Sequence, residues 1–497
     1  MKNVLFIISI VCLLIGLQSC YKEELVFDAE IDERFNLPLL LSLNGKECAY
    51  DHQKARLRYS IEDVQMEEFS PFIEFQEYSS ISFEGKLLKN GVVNHLGFIA
   101  LNKDYKIKVS CHGESKDLVL SFTNLPIVQL ISPNEVFDEP KTIAKIILNY
   151  PEISRKTEKY IIGIEHRGGS SQAYQKKSYG ISLKGSISLD DDISRSLFQM
   201  KENNDWILDA MWIDPARLRN KTSFELWSQL GGNKKEGIAS EFVELFLNNE
   251  HRGLYCFNEN MNAEHLDLHY STDVLYKSTA WENGAAQFET DNSHPPLSYY
   301  WDGWEQKYPD PKIKLYWQPL DDLRNLIVHG DDDVFRSQIN SMIHMDNFMD
   351  YYIFLNLLSA TDNSGKNTFL AKENKENKFY LIPWDLDGAW GLYWNGDYIG
   401  HTSVLSNHLY DRLLETNTHG FKEGLKQRWI YLRSNTLSEE NIKELFTQHF
   451  TTLKASDIMA LENKKWGSKI DMNMEQEYLI QWLEYRLVFL DEYFKNL

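Results

Sequence analysis

The sequence predicts an α+β protein in which a small all-β, sandwich-like domain precedes a larger domain that passes from strands into helices. Two patterns carry this expectation. Short strand-like runs with turn residues between them recur from about Leu37 to Pro126. From about Ile127 strands mix with a stretch of helical period, and past Pro319 the pattern is mostly helical. A length of 497 residues leaves room for two or three domains. A hydrophobic content of 43% with 13 Trp, 26 Tyr and 26 Phe is ample for large cores and argues against disorder.

The chain opens with Lys2 and an apolar run from Val4 to Leu17, which suits a signal peptide over residues 1–19. The following Leu17-Gln18-Ser19-Cys20 resembles a bacterial lipoprotein box, in which the Cys20 thiol is acylated and becomes the first mature residue. The plainer alternative is a secreted protein with a chance cysteine. Acyl chains anchor stably, because each buried methylene contributes about 0.8 kcal/mol. Residues 20–36 then read as a linker, and Tyr21-Lys22-Glu23-Glu24 resembles a tag for the outer face of an outer membrane. This places the chain in the cell envelope. No later run approaches the roughly eighteen apolar residues of a membrane span. A net charge of -21 argues against nucleic acid as a partner.

Within residues 37–126 the strand expectations are Leu39-Leu43, Ala55-Tyr59, Ser80-Glu84, Tyr105-Cys111 and Leu118-Phe122. Cys48 and Cys111 both fall in this segment, which leaves a disulfide between them open. Cys256 sits alone, and no Cys/His spacing suits a structural zinc. Residues 127–497 form the second domain. Ile143-Leu148, Ile161-Arg167 and Tyr179-Leu183 read as strands, and Pro215-Leu230 as an amphipathic helix. Asn248-Asn249-Glu250 reads as a hairpin turn between Phe242-Leu247 and Gly253-Cys256. Met345-Ser359 is apolar nearly all round, so it is expected to be a buried helix. Phe369-Ala371 and Phe379-Ile382 are short strands, followed by helices at Phe421-Arg433, after Ser438, and at Glu475-Asn496.

The densest chemistry lies between Thr361 and Gly391. After the buried helix comes Asp362-Asn363-Ser364-Gly365-Lys366-Asn367, and after a strand comes Pro383-Trp384-Asp385-Leu386-Asp387-Gly388. Phosphoryl transfer needs an acceptor for a hydroxyl proton and oxygen ligands for a metal on the phosphates. Protein kinases arrange these as Asp-x4-Asn followed by a second Asp, the spacing of Asp362, Asn367 and Asp385. Mg²⁺ favours such carboxylate and amide oxygens. A solvated turn capped by its own Asp and Asn side chains is the bland alternative.

A second group is Glu165-His166-Arg167-Gly168-Gly169-Ser170-Ser171, with Lys176 and Lys177 before the next strand. A Gly/Ser turn can present N–H and hydroxyl groups to phosphate, with Arg or Lys supplying charge. An exposed hairpin has the same pattern, and this is not a P-loop. Glu225, on the helix after Arg217-Leu218-Arg219-Asn220, is a candidate acid to pair with a phosphate-binding lysine.

These motifs occur in order, with Asn-Asp-Trp-Ile-Leu at 204–208 and Val-Glu-Leu-Phe-Leu-Asn at 243–248 between them. Together they resemble the spore-coat CotH family of atypical secreted protein kinases, from about Ile161 to Gly391. The resemblance implies a divergent two-lobed protein-kinase-like fold that uses ATP with Mg²⁺ or Mn²⁺ to phosphorylate Ser or Thr of exported proteins. It implies Asp362 as the catalytic acid/base residue, Asn367 and Asp385 as metal ligands, and Asp387 as an auxiliary ligand. Arg167, Ser171 and Lys177 would face the nucleotide phosphates. Gly169 stands where the family commonly has Asn, and Gly180 where a basic residue is frequent.

Two other classes compete. A non-catalytic surface binding or adhesion protein would suit the anchor and the extra β-domain. Carbohydrate hydrolysis by paired carboxylates could use the same acids, but leaves Asn367 and the Arg167–Lys177 segment without a role. Retention of mutually repelling carboxylates favours the kinase.

Overall fold

The computed structural model describes residues 41–497 apart from 63–67, 112, 233, 235, 281–287 and 290–292. The signal peptide, Cys20, the linker and the first two residues of the expected Leu39-Leu43 strand lie outside the described residues. The fold is α+β.

The first strands form two sheets. One runs Lys46–Glu47 (β2), Leu41–Leu43 (β1), Phe72–Phe75 (β5), Val92–Val93 (β8). The other runs Ala49–Asp51 (β3), Arg56–Ser60 (β4), Glu114–Thr123 (β10), Tyr105–Cys111 (β9), Ser79–Phe83 (β6), Lys86–Leu87 (β7). Alternation decides the faces. In β9, Tyr105, Ile107, Val109 and Cys111 are buried while Lys106 and Lys108 are exposed. Leu41, Ile73, Leu57, Ile107 and Phe122 from the two sheets share one apolar core.

Cys48 is a buried free thiol, so no disulfide joins it to Cys111. The strand order gives the reason. Cys48 immediately precedes β3, and Cys111 ends β9, three strand spacings or roughly 14 Å across the sheet. A disulfide needs Cα atoms within about 7 Å.

A closed barrel follows: Ile127–Ile131 (β11), Thr142–Asn149 (β12), Glu158–Arg167 (β13), Ser178–Lys184 (β14), Asp205–Asp209 (β15), Ser240–Leu247 (β16) and Glu250–Glu259 (β17). Its order is β11-β12-β13-β14-β15-β17-β16, closed by parallel pairing of β11 with β16. Ile162, Ile164, Ile181, Trp206, Leu208 and Phe257 belong to its core. Their neighbours Glu165, Arg167, Ser178, Asp205 and Asp209 alternate to the outer face, where the candidate site lies. Asn248 and Asn249 both have positive φ (49° and 58°), as a tight two-residue hairpin demands.

One buried network joins the first sheets to the barrel. Arg58 of β4 pairs with Glu244 of β16 at 2.7 Å, both 1% exposed or less. His251 and Asp457 complete it at 3.2 and 2.6 Å.

Beyond the barrel, helix α1 (Arg219–Gln229) precedes a second sheet. That sheet is Tyr300–Trp301 (β19), Trp304–Tyr308 (β20), Val274–Ser278 (β18), Thr368–Lys372 (β21) and Phe379–Pro383 (β22), in that spatial order. The helices α2 (Gln318–His329), α3 (Asp332–Met342), α4 (Met345–Leu358), α5 (His408–Glu415), α6 (Phe421–Arg433), α7 (Glu439–Lys454), α8 (Ile458–Trp466) and α9 (Met472–Lys495) complete the described chain. Helix α4 is buried nearly all round and packs on β22, α6 and α9. Helix α1 starts four residues later than its pattern suggests. Arg217 turns left-handed (φ 60°), and Asp214 accepts from the Leu218 and Arg219 amides at 2.8 Å each. Among the described residues no helix is long and apolar enough to cross a membrane.

Candidate active site

Helix α4 ends where Ser359 enters the left-handed region (φ 52°) and Trp390 N–H donates to the Leu358 carbonyl at 2.7 Å. A single 3₁₀ turn, Thr361–Ser364, then carries Asp362 and Asn363. Asn363 is buried, and its amide donates to the Asn367 carbonyl (2.8 Å) and the Trp384 carbonyl (2.7 Å). The carbonyl of Asn363 itself receives the Tyr351 hydroxyl from α4 at 2.9 Å. One asparagine thus ties the loop after α4 to the end of β22. The Trp384 amide donates to the Asn367 carbonyl (3.0 Å), and the Asn367 amide to the Ser278 carbonyl (2.9 Å).

These bonds hold two non-glycine residues in a left-handed conformation, Asn367 at φ 57° and Asp385 at φ 55°. Such residues cost of order 1 kcal/mol each and persist where the surroundings over-determine them. Helix α1 grips the same loop from the other side. The Leu386 amide donates to Asn220 Oδ1 (3.0 Å), Arg219 Nε donates to the Ala389 carbonyl (3.1 Å), and Trp390 Nε1 donates to Ser223 Oγ (2.8 Å).

The result is a cavity of about 600 Å³ between the outer face of the barrel and the second sheet. Arg167 and Ser171 line it from the barrel side, and Asp362, Asn367, Asp385 and Asp387 from the hairpin side. Gly168 makes the turn between them possible. Its φ is 104°, and a Cβ there would lie 1.8 Å from Ser171 Oγ.

Two expected residues are elsewhere. Lys177 lies outside the cavity and its ammonium donates to the Gln172 carbonyl. Its neighbour Lys176, in the bend before β14, lines the cavity instead. Lys176 pairs with Glu462 of α8 at 2.6 Å, both fully buried, and burial pushes it down to about 8 against the pull of Glu462. Glu462 fits because Gly253 (φ 96°) has no side chain; a Cβ there would lie 2.0 Å from Glu462 Oε2. Glu225 also lies outside. Asn220 and Phe224 of α1 line the cavity, and the next residue is rotated about 100° away. Glu225 pairs with Lys221 and His449 at 2.7 Å each. Burial would raise it, but these two partners outweigh burial and hold it at about 2.

Sequence reasoning missed Asp209 and Lys277, which also line the cavity, and named Lys176 and Asn220 only within their motifs, without a role of their own. For Lys277 a signal existed: Val274-Leu275-Tyr276-Lys277-Ser278 is a five-residue strand pattern bounded by Asp273 and Thr279.

The electrostatics of the hairpin side are unfinished. Water reaches the Asp385 carboxylate inside the cavity, yet protein surrounds it. Burial and the neighbouring Asp209 raise it above the ordinary carboxylate range, against Lys277 and Arg167. Burial, Asp385, Asp209 and Asp214 raise Asp387 further. Among the described residues no three His, Cys, Asp or Glu side chains converge as a metal cage. The donor set that fits a divalent ion here is mixed: the Asp385 and Asp387 carboxylates and the Asn367 amide oxygen. These are hard oxygen ligands of the kind Mg²⁺ and Mn²⁺ take, and a cation would relieve the repulsion. Asp362 Oδ2 lies 2.8 Å from the Lys366 ammonium.

This arrangement coincides with a family assignment. The family model described as CotH kinase protein matches residues 164–490. The chain belongs to the CotH kinase protein family. It is also similar to the inner spore coat protein H of Bacillus subtilis (strain 168), 23% identical over 349 residues that span 68% of this chain and 86% of that protein. The CotH match begins inside β13 and takes in every cavity residue named above, whereas the sheets before β11 lie outside it.

Proposed function

We propose that this CotH chain is a lipid-anchored protein kinase of the cell envelope that transfers the ATP γ-phosphoryl group to Ser or Thr of exported proteins. The observation that carries the reading is the convergence of Asp362, Asn367, Asp385 and Asp387 with Arg167 and Ser171 on one cavity. In this reading the barrel with α1 and the second sheet with its helices are the two lobes of a kinase-like domain over 127–497. The two sheets of 37–126 are a sandwich-like spacer between that domain and Cys20. Residues 1–19 are the signal peptide, and the anchor holds the protein at the outer membrane.

Asp362 accepts the proton of the attacking hydroxyl, held in place by the turn that Asn363 and Tyr351 fix. Asn367 and Asp385, with Asp387 as auxiliary, hold Mg²⁺ or Mn²⁺. The metal supplies charge neutralisation across the phosphates. Arg167 brings positive charge to the same phosphates and Ser171 a hydroxyl. Lys176, locked to Glu462, fixes the strand from which this wall is built.

The test is transfer of labelled phosphate from ATP by the chain from Tyr21 onward, with Mg²⁺ or Mn²⁺, to itself or to a casein-like acceptor. Transfer that disappears in Asp362→Ala and Asp385→Ala supports the reading. An unlabelled acceptor, together with no metal-dependent ATP binding, leaves a surface binding module as the function.

A further inference from the structure

We propose that Lys277, acting with Arg167 across the Trp384 ring, is the seat of a polyphosphate group, the terminal phosphates of the nucleotide. This rests on the kinase reading for the identity of the ligand but on geometry for the site itself. Lys277 comes from β18, the central strand of the second sheet, and its ammonium lines the cavity. It lies 5.6 Å from the centre of the Trp384 ring and 5.5 Å from that of Phe369. The Arg167 guanidinium, from the barrel on the opposite wall, lies 5.5 Å from the same Trp384 ring. Two cations from two separate sheets are therefore gathered around one indole.

Neither cation has a bonded acid. Among the described residues no hydrogen bond or ion pair within 4.0 Å links either of them to a carboxylate, although Asp385 is near both. Aromatic faces attract a cation only weakly, which does not by itself explain two like charges, both half-buried, gathered around one ring. Their mutual repulsion is visible: burial, then Arg167 and Lys307, lower Lys277 to about 8. Two fully buried cations elsewhere in this protein are each paired with an acid, Lys176 with Glu462 and Arg58 with Glu244. A ligand with at least two negative charges completes the pair, and a phosphate chain spans two walls where a single carboxylate does not. The neighbouring Asp385 and Asn367 bring the metal to that same chain.

Lys277→Met keeps the aliphatic stem against Phe369 and Trp384 and removes the charge; Lys277→Arg keeps it. Calorimetric titrations of wild type and both variants with Mg²⁺-ATP, adenosine and inorganic tripolyphosphate separate the contributions. The expected result for Lys277→Met is ATP and tripolyphosphate affinity about ten- to a hundredfold weaker. Adenosine affinity and the melting temperature stay unchanged, and Lys277→Arg restores most of the loss. Wild type that binds tripolyphosphate but neither ATP nor adenosine keeps the anion seat and overturns the kinase reading. ATP affinity in Lys277→Met within twofold of wild type overturns the seat and leaves the kinase reading standing. Wild type that binds neither polyphosphate nor ATP overturns both.

Discussion

Two regions of this molecule gather several charges each, one in the buried interior and one around a solvent-reached cavity, and they treat them in opposite ways. In the network between the first sheets and the barrel, Arg58, Glu244, His251 and Asp457 satisfy one another at 2.6–3.2 Å. In the cavity, Asp385, Asp387 and Asp209 repel one another, as do Arg167 and Lys277, and no hydrogen bond or ion pair within 4.0 Å among the described residues joins the two sets. The first region is finished electrostatically and is scaffold. In the proposed reading the second is completed by a metal ion and phosphates, and unbalanced charges in a cavity are where a site is expected. The difference comes from which partners the fold supplies.

The sharpest way to break the comparison is to remove a single charged side chain from each region. Asp362→Ala and Asp385→Ala are expected to lower phosphoryl transfer at least about a thousandfold while the melting temperature stays near wild type. Arg58→Ala is expected to do the reverse. It leaves Glu244 buried with His251 alone, costs about 3–5 kcal/mol in denaturant titrations, and leaves the transfer rate of the folded fraction intact. Arg58→Met with Glu244→Leu should recover most of that loss.

Next in size is the stabilisation hidden in the cavity. Asp387→Asn removes a repelling carboxylate, so in chelator its melting temperature should rise by about 1–3 °C, while its activity falls. The pH dependence follows the same division. Asp385 and Asp387 are raised in the folded state, so their contribution is complete below the ordinary carboxylate range and is lost as pH rises through their raised values. Glu225 is held at about 2, below its ordinary 4.5, so its contribution is present above that value and is lost as pH falls toward 2. Scans in chelator as pH rises above the ordinary carboxylate range should show wild type losing stability, and Asp387→Asn losing less. The smallest expected effects concern residues outside the cavity: Lys177→Ala and Glu225→Gln should leave ATP affinity within about twofold, because neither side chain reaches the ligand.

Much of this was legible from sequence because local pattern and tertiary role coincide there. Met345–Leu358 is apolar all round and is a buried helix, and Asn248-Asn249 makes the tight turn its residues suit. The acids at 362, 385 and 387 declared themselves because short loops around one hairpin carry them all. What stayed hidden depends on long-range placement. The choice between Lys176 and Lys177 depends on the bend before β14, where Lys176 is held by Glu462 from a helix 286 residues away. Glu225 follows the cavity-facing Phe224 by one helical step, and only the packing of α7 against α1 decides that it meets His449. Lys277 belongs to a strand whose local pattern is legible, but its neighbours, β20 and β21, are distant in sequence, and only that pairing brings it to the cavity. The Cys48–Cys111 question was likewise decided by strand order, which spacing along the chain does not encode.

The most direct measurement is calorimetric titration of ATP into wild type and Asp385→Asn, each with Mn²⁺ and with chelator. The account predicts ATP binding that depends on the metal in wild type and is lost in Asp385→Asn with its fold intact. Equal binding in the two proteins, or binding in wild type indifferent to metal, would contradict the claim that these unpaired acids are the functional centre.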